Sequence, residues 1–372
     1  MDFADTPEHA RFRAEFRAWL ADNHPGPTPD FRDSATEQAF RMSWHRTMYA
    51  GGWLGLSWPV AYGGRALSPL FEAIINEELG DAGVLNAVGP LNWLGRAILL
   101  FGTEAQRQRY LAPLLRGETQ WCQGFSEPGA GSDLAGLSTY AERDGDTYRV
   151  TGQKLWTSGA QFADYCMVLT RTDRDAPKHK GISCLIAEMD APGITVRPIT
   201  QSWGGQRFCE VFFDATPVPV DNRLGDEGDG WGLASAVLAY ERGPSELGVV
   251  AAWRSKLAEL RELSDGDAVR EHAYGRAFVD ARACQIRLME GLSRRARGED
   301  PGPSSSVDKL LMVRAEQSLG TSLFDVAAAR AVVGDDPLTV KHYIYSRAAS
   351  IYGGTEQIQK GIIATRILGL PH

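Results

Sequence analysis

The sequence predicts a multidomain α+β fold: a helical N-terminal domain over residues 1–118, a small antiparallel β-barrel or sandwich over 119–222, and a helical bundle over 223–372. Three observations predict it. Helix-opening signals with apolar stripes fill the first third, short β-rich runs between turn residues fill the middle, and long helical stretches return at the end. A length of 372 residues also exceeds what one hydrophobic core comfortably serves, so two or three packed units are expected.

In the first domain, Thr6-Pro7-Glu8 combines an N-cap, a proline at the first helical position and an acid. Phe12, Phe16, Trp19 and Leu20 follow as one apolar stripe. Ser68-Pro69 opens a second helix in the same way, with Phe71, Ile74, Ile75 and Leu79 apolar and Gly80 as its expected C-cap. Thr103-Glu104 starts a third. The runs Asn23 to Pro29 and Tyr62 to Gly64 break the helices and are too short for domain linkers.

Strands are expected at Tyr148 to Val150, Tyr165 to Thr170, Ser183 to Met189, Ile194 to Ile199 and Phe208 to Phe213. Asp144-Gly145 and Asp173 to Pro177 read as turns, and Pro217, Pro219 and Asp221 as the exit. Helix then returns over Trp231 to Glu241, Ala273 to Leu292 and Val307 to Val333, broken near Ser264 to Asp267 and Pro301 to Ser306. Helices of this length pack as a bundle.

Composition narrows the function. With 43% hydrophobic and 23% charged residues the chain is globular, which excludes a disordered, collagen-like or coiled-coil polypeptide. A net charge of -8 argues against a nucleic-acid partner. Five cysteines without CxxC spacing suggest neither a disulfide framework nor a zinc site, and point to a reducing, cytoplasmic setting. No window approaches the roughly 18 apolar residues that span a bilayer, and the N-terminus lacks an apolar targeting core, so neither a membrane nor export is expected.

Two segments stand out chemically. In Trp121 to Asp133, Gly129 and Gly131 beside Ser132 and Asp133 would let the backbone approach a flat or phosphorylated ligand and present donors to it, although a plain turn uses the same residue types. In Gln153 to Gly159, Trp156 stands beside Thr157 and Ser158. A tryptophan filling the barrel and one bordering an aromatic ligand with polar edges are both open readings. GxGxxG and P-loop motifs are absent, so a bound nucleotide would be held differently.

Three segments carry a resemblance. Phe125-Ser-Glu-Pro-Gly-Ala-Gly-Ser-Asp133, Trp156-Thr-Ser158 and Ile351-Tyr-Gly-Gly-Thr-Glu-Gln-Ile-Gln359 resemble the signature segments of the acyl-CoA dehydrogenase family of flavoproteins. Gly55-Leu-Ser-Trp-Pro59, Phe101-Gly-Thr-Glu104 and Gly369-Leu-Pro371 agree, and the resemblance covers essentially the whole chain. It implies a helical domain, a β domain and a four-helix bundle with FAD bound where they meet. By match, Gln123, Phe125, Ser126, Gly131, Ser132, Trp156, Thr157, Ser158, Thr355 and Gln357 bind the cofactor, and Ser132, Arg242 and Gly353 contact acyl-CoA. The implied reaction is α,β-dehydrogenation of an acyl-CoA thioester, with an electron-transfer flavoprotein as acceptor.

Two departures shape the expected mechanism. Most members place the general base as a Glu directly after the tail tyrosine, where this chain has Gly353. A minority, including isovaleryl- and long-chain-specific enzymes, place it on a bundle helix, and Glu241 in Leu238-Ala-Tyr-Glu-Arg-Gly-Pro244 matches that position. Glu241 is therefore the expected base, with Glu356 as the alternative; Gly353 keeps the backbone N–H that would polarise the thioester. Homotetrameric members also supply Arg-x-x-Phe-Gly and Gln-x-x-Gly-Gly-x-Gly segments to a neighbour's adenine and pyrophosphate. Here those regions read Leu260 to Asp267 and Ala331 to Pro337 and contain neither.

Keeping the isoalloxazine half without the adenine half resembles the α2β2 acyl-CoA dehydrogenases of actinobacterial steroid side-chain degradation, in which two paralogues share each flavin. A paralogous partner subunit and a bulky or branched acyl group are the resulting expectations. A catalytically silent paralogue and an ordinary homotetramer are the alternatives, and oxidase reactivity stays open.

Overall fold

The computed structural model describes the chain except residues 1–3, 28, 30, 31, 85–90, 242–244, 300, 301 and 372, and except the side chains of 92, 239–241, 245 and 328–331. It divides into two compact units. One holds Thr28–Ala66 and Ala87–Glu241, called here the sheet unit. The other holds Met1–Pro27, Leu67–Asn86 and Arg242–His372, the bundle unit. The N-terminal helices are thus divided between the two units.

The bundle unit contains α1 (Pro7–Asn23), α3 (Pro69–Asp81), α7 (Ser245–Ser264), α8 (Ala268–Ala296), α9 (Ser305–Val332), α10 (Pro337–Ala348) and α11 (Glu356–Ile362). Thr6 caps α1 by accepting from His9 N–H at 3.2 Å, and Ser68 caps α3 by accepting from Leu70 N–H at 3.3 Å, both with proline next in line. Trp253 and Leu257 of α7, Cys284 and Leu288 of α8 and Leu319 and Leu323 of α9 pack into one buried cluster.

Gly80 is not a C-cap. Helix α3 runs on to Asp81, and a Cβ at Gly80 would stand 2.1 Å from the carbonyl oxygen of Gly248 on α7. The glycine is there so that two helix backbones can touch, a tertiary demand that helix-end signals do not carry.

The sheet unit contains α2 (Ser34–Ala50), α4 (Arg96–Phe101), α5 (Glu104–Arg116), α6 (Gly230–Glu241) and one eight-stranded sheet. Thr103 and Gln106 form a reciprocal capping box on α5. The strands are β1 (Trp121–Gly124), β2 (Tyr140–Asp144), β3 (Thr147–Ser158), β4 (Tyr165–Arg171), β5 (Ile182–Glu188), β6 (Ile194–Ile199), β7 (Phe208–Pro219) and β8 (Arg223–Leu224). They pair in the order β6-β7-β3-β2-β4-β5-β8, with β1 on β4.

The expected β unit is present, and two of its pairings are parallel rather than antiparallel: β1 with β4, and β2 with β4 through Tyr140 and Arg171. Neighbours in sequence turn back on each other, whereas β1 and β4 are separated by the β2–β3 hairpin and so meet in the same direction. Strand β7 extends through Pro217 and ends at Pro219, because its outer edge beyond Phe213 no longer pairs with β6 and needs no N–H there. All five cysteines are buried free thiols. Among the described residues no helix is long and apolar enough to cross a membrane.

Candidate active site

Strand alternation in β3 buries Tyr148, Val150 and Lys154 on one face, so a lysine is delivered into the sheet interior. An unpaired ammonium there would be very costly. Lys154 Nζ donates to Glu127 Oε1 at 2.7 Å and to the Phe125 carbonyl at 3.2 Å. Glu127 further accepts from Ser138 N–H at 2.7 Å, Ser138 Oγ–H at 2.8 Å and Thr139 N–H at 2.9 Å. Burial alone would raise the Glu127 carboxyl, but the Lys154 charge and these hydrogen bonds outweigh it and hold its pKa at about 2. So saturated a carboxylate is no general base.

From this anchor the loop carrying the matched residues emerges. Glu127 and Ala130 exchange N–H to carbonyl bonds at 3.0 and 3.1 Å, closing a tight turn over Pro128 and Gly129. Leu155 N–H donates to the Ser126 carbonyl at 2.9 Å and ties the loop to β3. A Cβ at Gly129 or Gly131 would meet nothing within 4 Å, so the backbone there faces open space. Gly131 and Ser132 are exposed, Gln123 and Ser126 half-buried and Phe125 buried.

Just beyond Lys154 the pairing of β3 with β7 slips between Lys154 and Thr157. Trp156 takes a left-handed backbone at φ 60°, a strained conformation for a bulky residue and a common mark of function. The bulge reverses the alternation. Trp156 is 55% exposed, which removes the barrel-filling reading, while Thr157 is fully buried with no partner for Oγ1 among the described residues. Ser158 is exposed.

Gly353, Thr355 and Gln357 belong to the bundle unit. Gly353 and Gly354 are consecutive left-handed residues at φ 64° and 90°, and the buried Gln359 amide donates to their carbonyls at 3.2 and 3.3 Å. A Cβ at Gly353 would find only ordinary contacts, the nearest being Lys309 Nζ at 3.6 Å. Room for a side chain exists, and the backbone angle is what favours glycine. Thr355 caps α11 by accepting from Ile358 N–H at 3.2 Å, and Gln357 is exposed. Glu356 pairs with Lys360 at 2.6 Å. Glu241 is the last residue of α6; its side chain, and all of Arg242, lie outside the described residues.

Family models agree with this order of elements. The acyl-CoA dehydrogenase N-terminal, middle and C-terminal domain models match residues 6–118, 122–216 and 228–368. The chain belongs to the acyl-CoA dehydrogenase family. It is 38% identical to acyl-CoA dehydrogenase IpdE1 of Mycobacterium tuberculosis over 97% of both chains. Among solved structures, a steroid ACAD, Tcur3481-Tcur3483, superposes with a TM-score of 0.87 at 28% identity, covering 100% of both chains. The ChsE4-ChsE5 complex from Mycobacterium tuberculosis gives 0.86 at 30%, again over 100% of both. The chain thus resembles the actinobacterial steroid-type acyl-CoA dehydrogenases, and it belongs to an oxidoreductase family whose members depend on FAD.

The residues fit such a cofactor. A buried hydroxyl without a partner at Thr157, next in sequence to an exposed tryptophan, and open-faced glycines on a loop tied to the same strand suit a flat ring system with polar edges. Sequence reasoning missed Lys154, Glu127 and Gln359. The signal for Lys154 was available, since it shares the parity of Tyr148 and Val150 in a strand whose core face is otherwise apolar.

Proposed function

We propose that this chain performs FAD-dependent α,β-dehydrogenation of a bulky or branched acyl-CoA, of steroid side-chain kind, as one subunit of an α2β2 enzyme. Its domains are bounded at 1–118, 119–222 and 223–372. The observation that carries the cofactor reading is the buried, unpartnered Thr157 hydroxyl beside exposed Trp156. Phe125, Ser126, Gly131, Ser132 and Trp156 to Ser158 would hold the isoalloxazine, with Gln123, Thr355 and Gln357 completing the contacts. When bound, FAD supplies the acceptor for the β-hydride.

Glu241 removes the α-proton of the thioester, a general-base role worth roughly 10²–10⁴ in rate. Arg242 steadies the carboxylate, Ser132 contacts the thioester arm, and the Gly353 N–H polarises its carbonyl. The absence of a side chain at Gly353 leaves volume beside the reacting carbons, which suits a bulky acyl group. An electron-transfer flavoprotein takes the electrons.

Support for a paralogous partner comes from the bundle. The junction of α9 with α10, where homotetrameric relatives carry their adenine-binding segment, instead exposes Val332 at the end of α9, Val333 in the link and Leu338 at the start of α10 by 77%, 70% and 67%. Flavin absorbance and native mass of the chain, purified alone and with a co-expressed paralogue, test the arrangement. The expected result is little FAD alone and one FAD per pair with the partner. One FAD per chain in a homotetramer would refute the shared site.

A further inference from the structure

We propose that the buried Glu127–Lys154 ion pair is a positioning device, setting the loop of Gly131 and Ser132 and the bulge of Trp156 and Thr157 in fixed relation to each other. The proposal rests on the cofactor reading above. Neither residue reaches the ligand in this account; each acts through the segments it ties.

The geometry carries it. Glu127 stands at one foot of the loop and Ser138 and Thr139 at the other, and a single carboxylate accepts from both Ser138 donors and from the Thr139 N–H. Stretch 128–137 is thereby clamped at its base. The same carboxylate accepts from Lys154, whose ammonium also bonds the Phe125 carbonyl. Lys154 lies two residues before Trp156 and three before Thr157, at the point where the β3–β7 register slips. Loop and bulge therefore share one anchor, and the Leu155 to Ser126 bond at 2.9 Å locks them a second time.

Stability alone does not account for the pair. Lys154 is fully buried and Glu127 nearly so, and replacing such a pair by well-packed neutral groups of similar volume is often neutral or stabilising. What neutral groups do not reproduce is four directed bonds from two segments onto one carboxylate. That is the feature a binding site needs, because a site displaced by about 1 Å loses most of its value.

The test is the double variant Glu127→Gln/Lys154→Met, in which the amide oxygen still accepts from both Ser138 donors, the amide nitrogen takes the place of the oxygen that met Thr139 N–H and Lys154, and the thioether fills the lysine channel. FAD is titrated by flavin fluorescence and absorbance into parent and variant, each with the paralogous subunit if the parent requires it, and melting temperatures are recorded beside them. The expected result is a melting temperature close to the parent's, at least tenfold weaker FAD binding, and a flavin band that loses its fine structure. Parent-like affinity and spectrum in a folded double variant would overturn the proposal.

Should the double variant not fold, Glu127→Asp keeps both charges and retracts the carboxylate by one methylene. Weakened FAD binding in it supports the positioning role, and unchanged binding refutes it. A parent that takes no FAD with or without a partner defeats the cofactor reading and this proposal together, whereas a parent that binds and a variant that binds equally defeat this proposal alone.

Discussion

The two units hold their backbones in place by opposite means. In the sheet unit, Glu127 and Lys154 fix a loop and a bulge through directed polar bonds among buried groups. In the bundle unit, helices α3 and α7 meet through the missing side chains of Gly80 and Gly248, and the Gly353–Gly354 turn is held by one glutamine amide. The first arrangement is sensitive to charge and the second to added volume.

Adding volume breaks the bundle side most strongly. In Gly80→Ala the new methyl meets the Gly248 carbonyl oxygen at 2.1 Å and Ala251 Cβ at 2.8 Å, so one helix must shift. The expected loss is about 1–3 kcal/mol by thermal or denaturant unfolding. An unchanged melting temperature would show that the contact is looser than described.

Acid separates the units more gently. Burial, followed by the charges of Lys256 and Arg347, pushes His342 down to about 3, so it folds neutral while the unfolded chain takes a proton near 6.5. Its contribution is complete above pH 6.5 and drains as pH falls toward 3, by up to about 1.4 kcal/mol per unit. Glu127 is depressed from 4.5 to about 2, so its contribution is intact above pH 4.5 and drains only below it. Burial raises Glu316 on α9, which works against His342, so the difference between parent and His342→Leu is the quantity to follow. Between pH 6.5 and 5 that difference should move in the variant's favour by about 2 kcal/mol at most. A flat difference would mean His342 is solvated in the native state.

How much of this the sequence displayed depends on how local the cause is. Caps at Thr6, Ser68 and Thr103 were readable because a side-chain oxygen two or three residues from its N–H partner is a local event. The strand runs and the three-part order were readable from periodicity, and the matched loop, Trp156 and tail were readable as motifs. Gly80 was misread because its partner lies far away in the chain, on α7. The exposure of Trp156 was left open because a bulge reverses parity within two residues and leaves no pattern. Lys154 could have been found, since a lysine on the apolar face of a strand demands a carboxylate and Glu127 sits in the adjacent motif.

The central claim is that the base has moved from the tail to Glu241. Its most direct test is the anaerobic bleaching of flavin by a steroid side-chain acyl-CoA in the Glu241→Gln variant, reconstituted with whatever partner the parent requires. Flavin content should match the parent while the bleaching rate falls by at least about 10². Bleaching at the parent rate with full flavin would contradict the assignment and return the search for the base to another carboxylate.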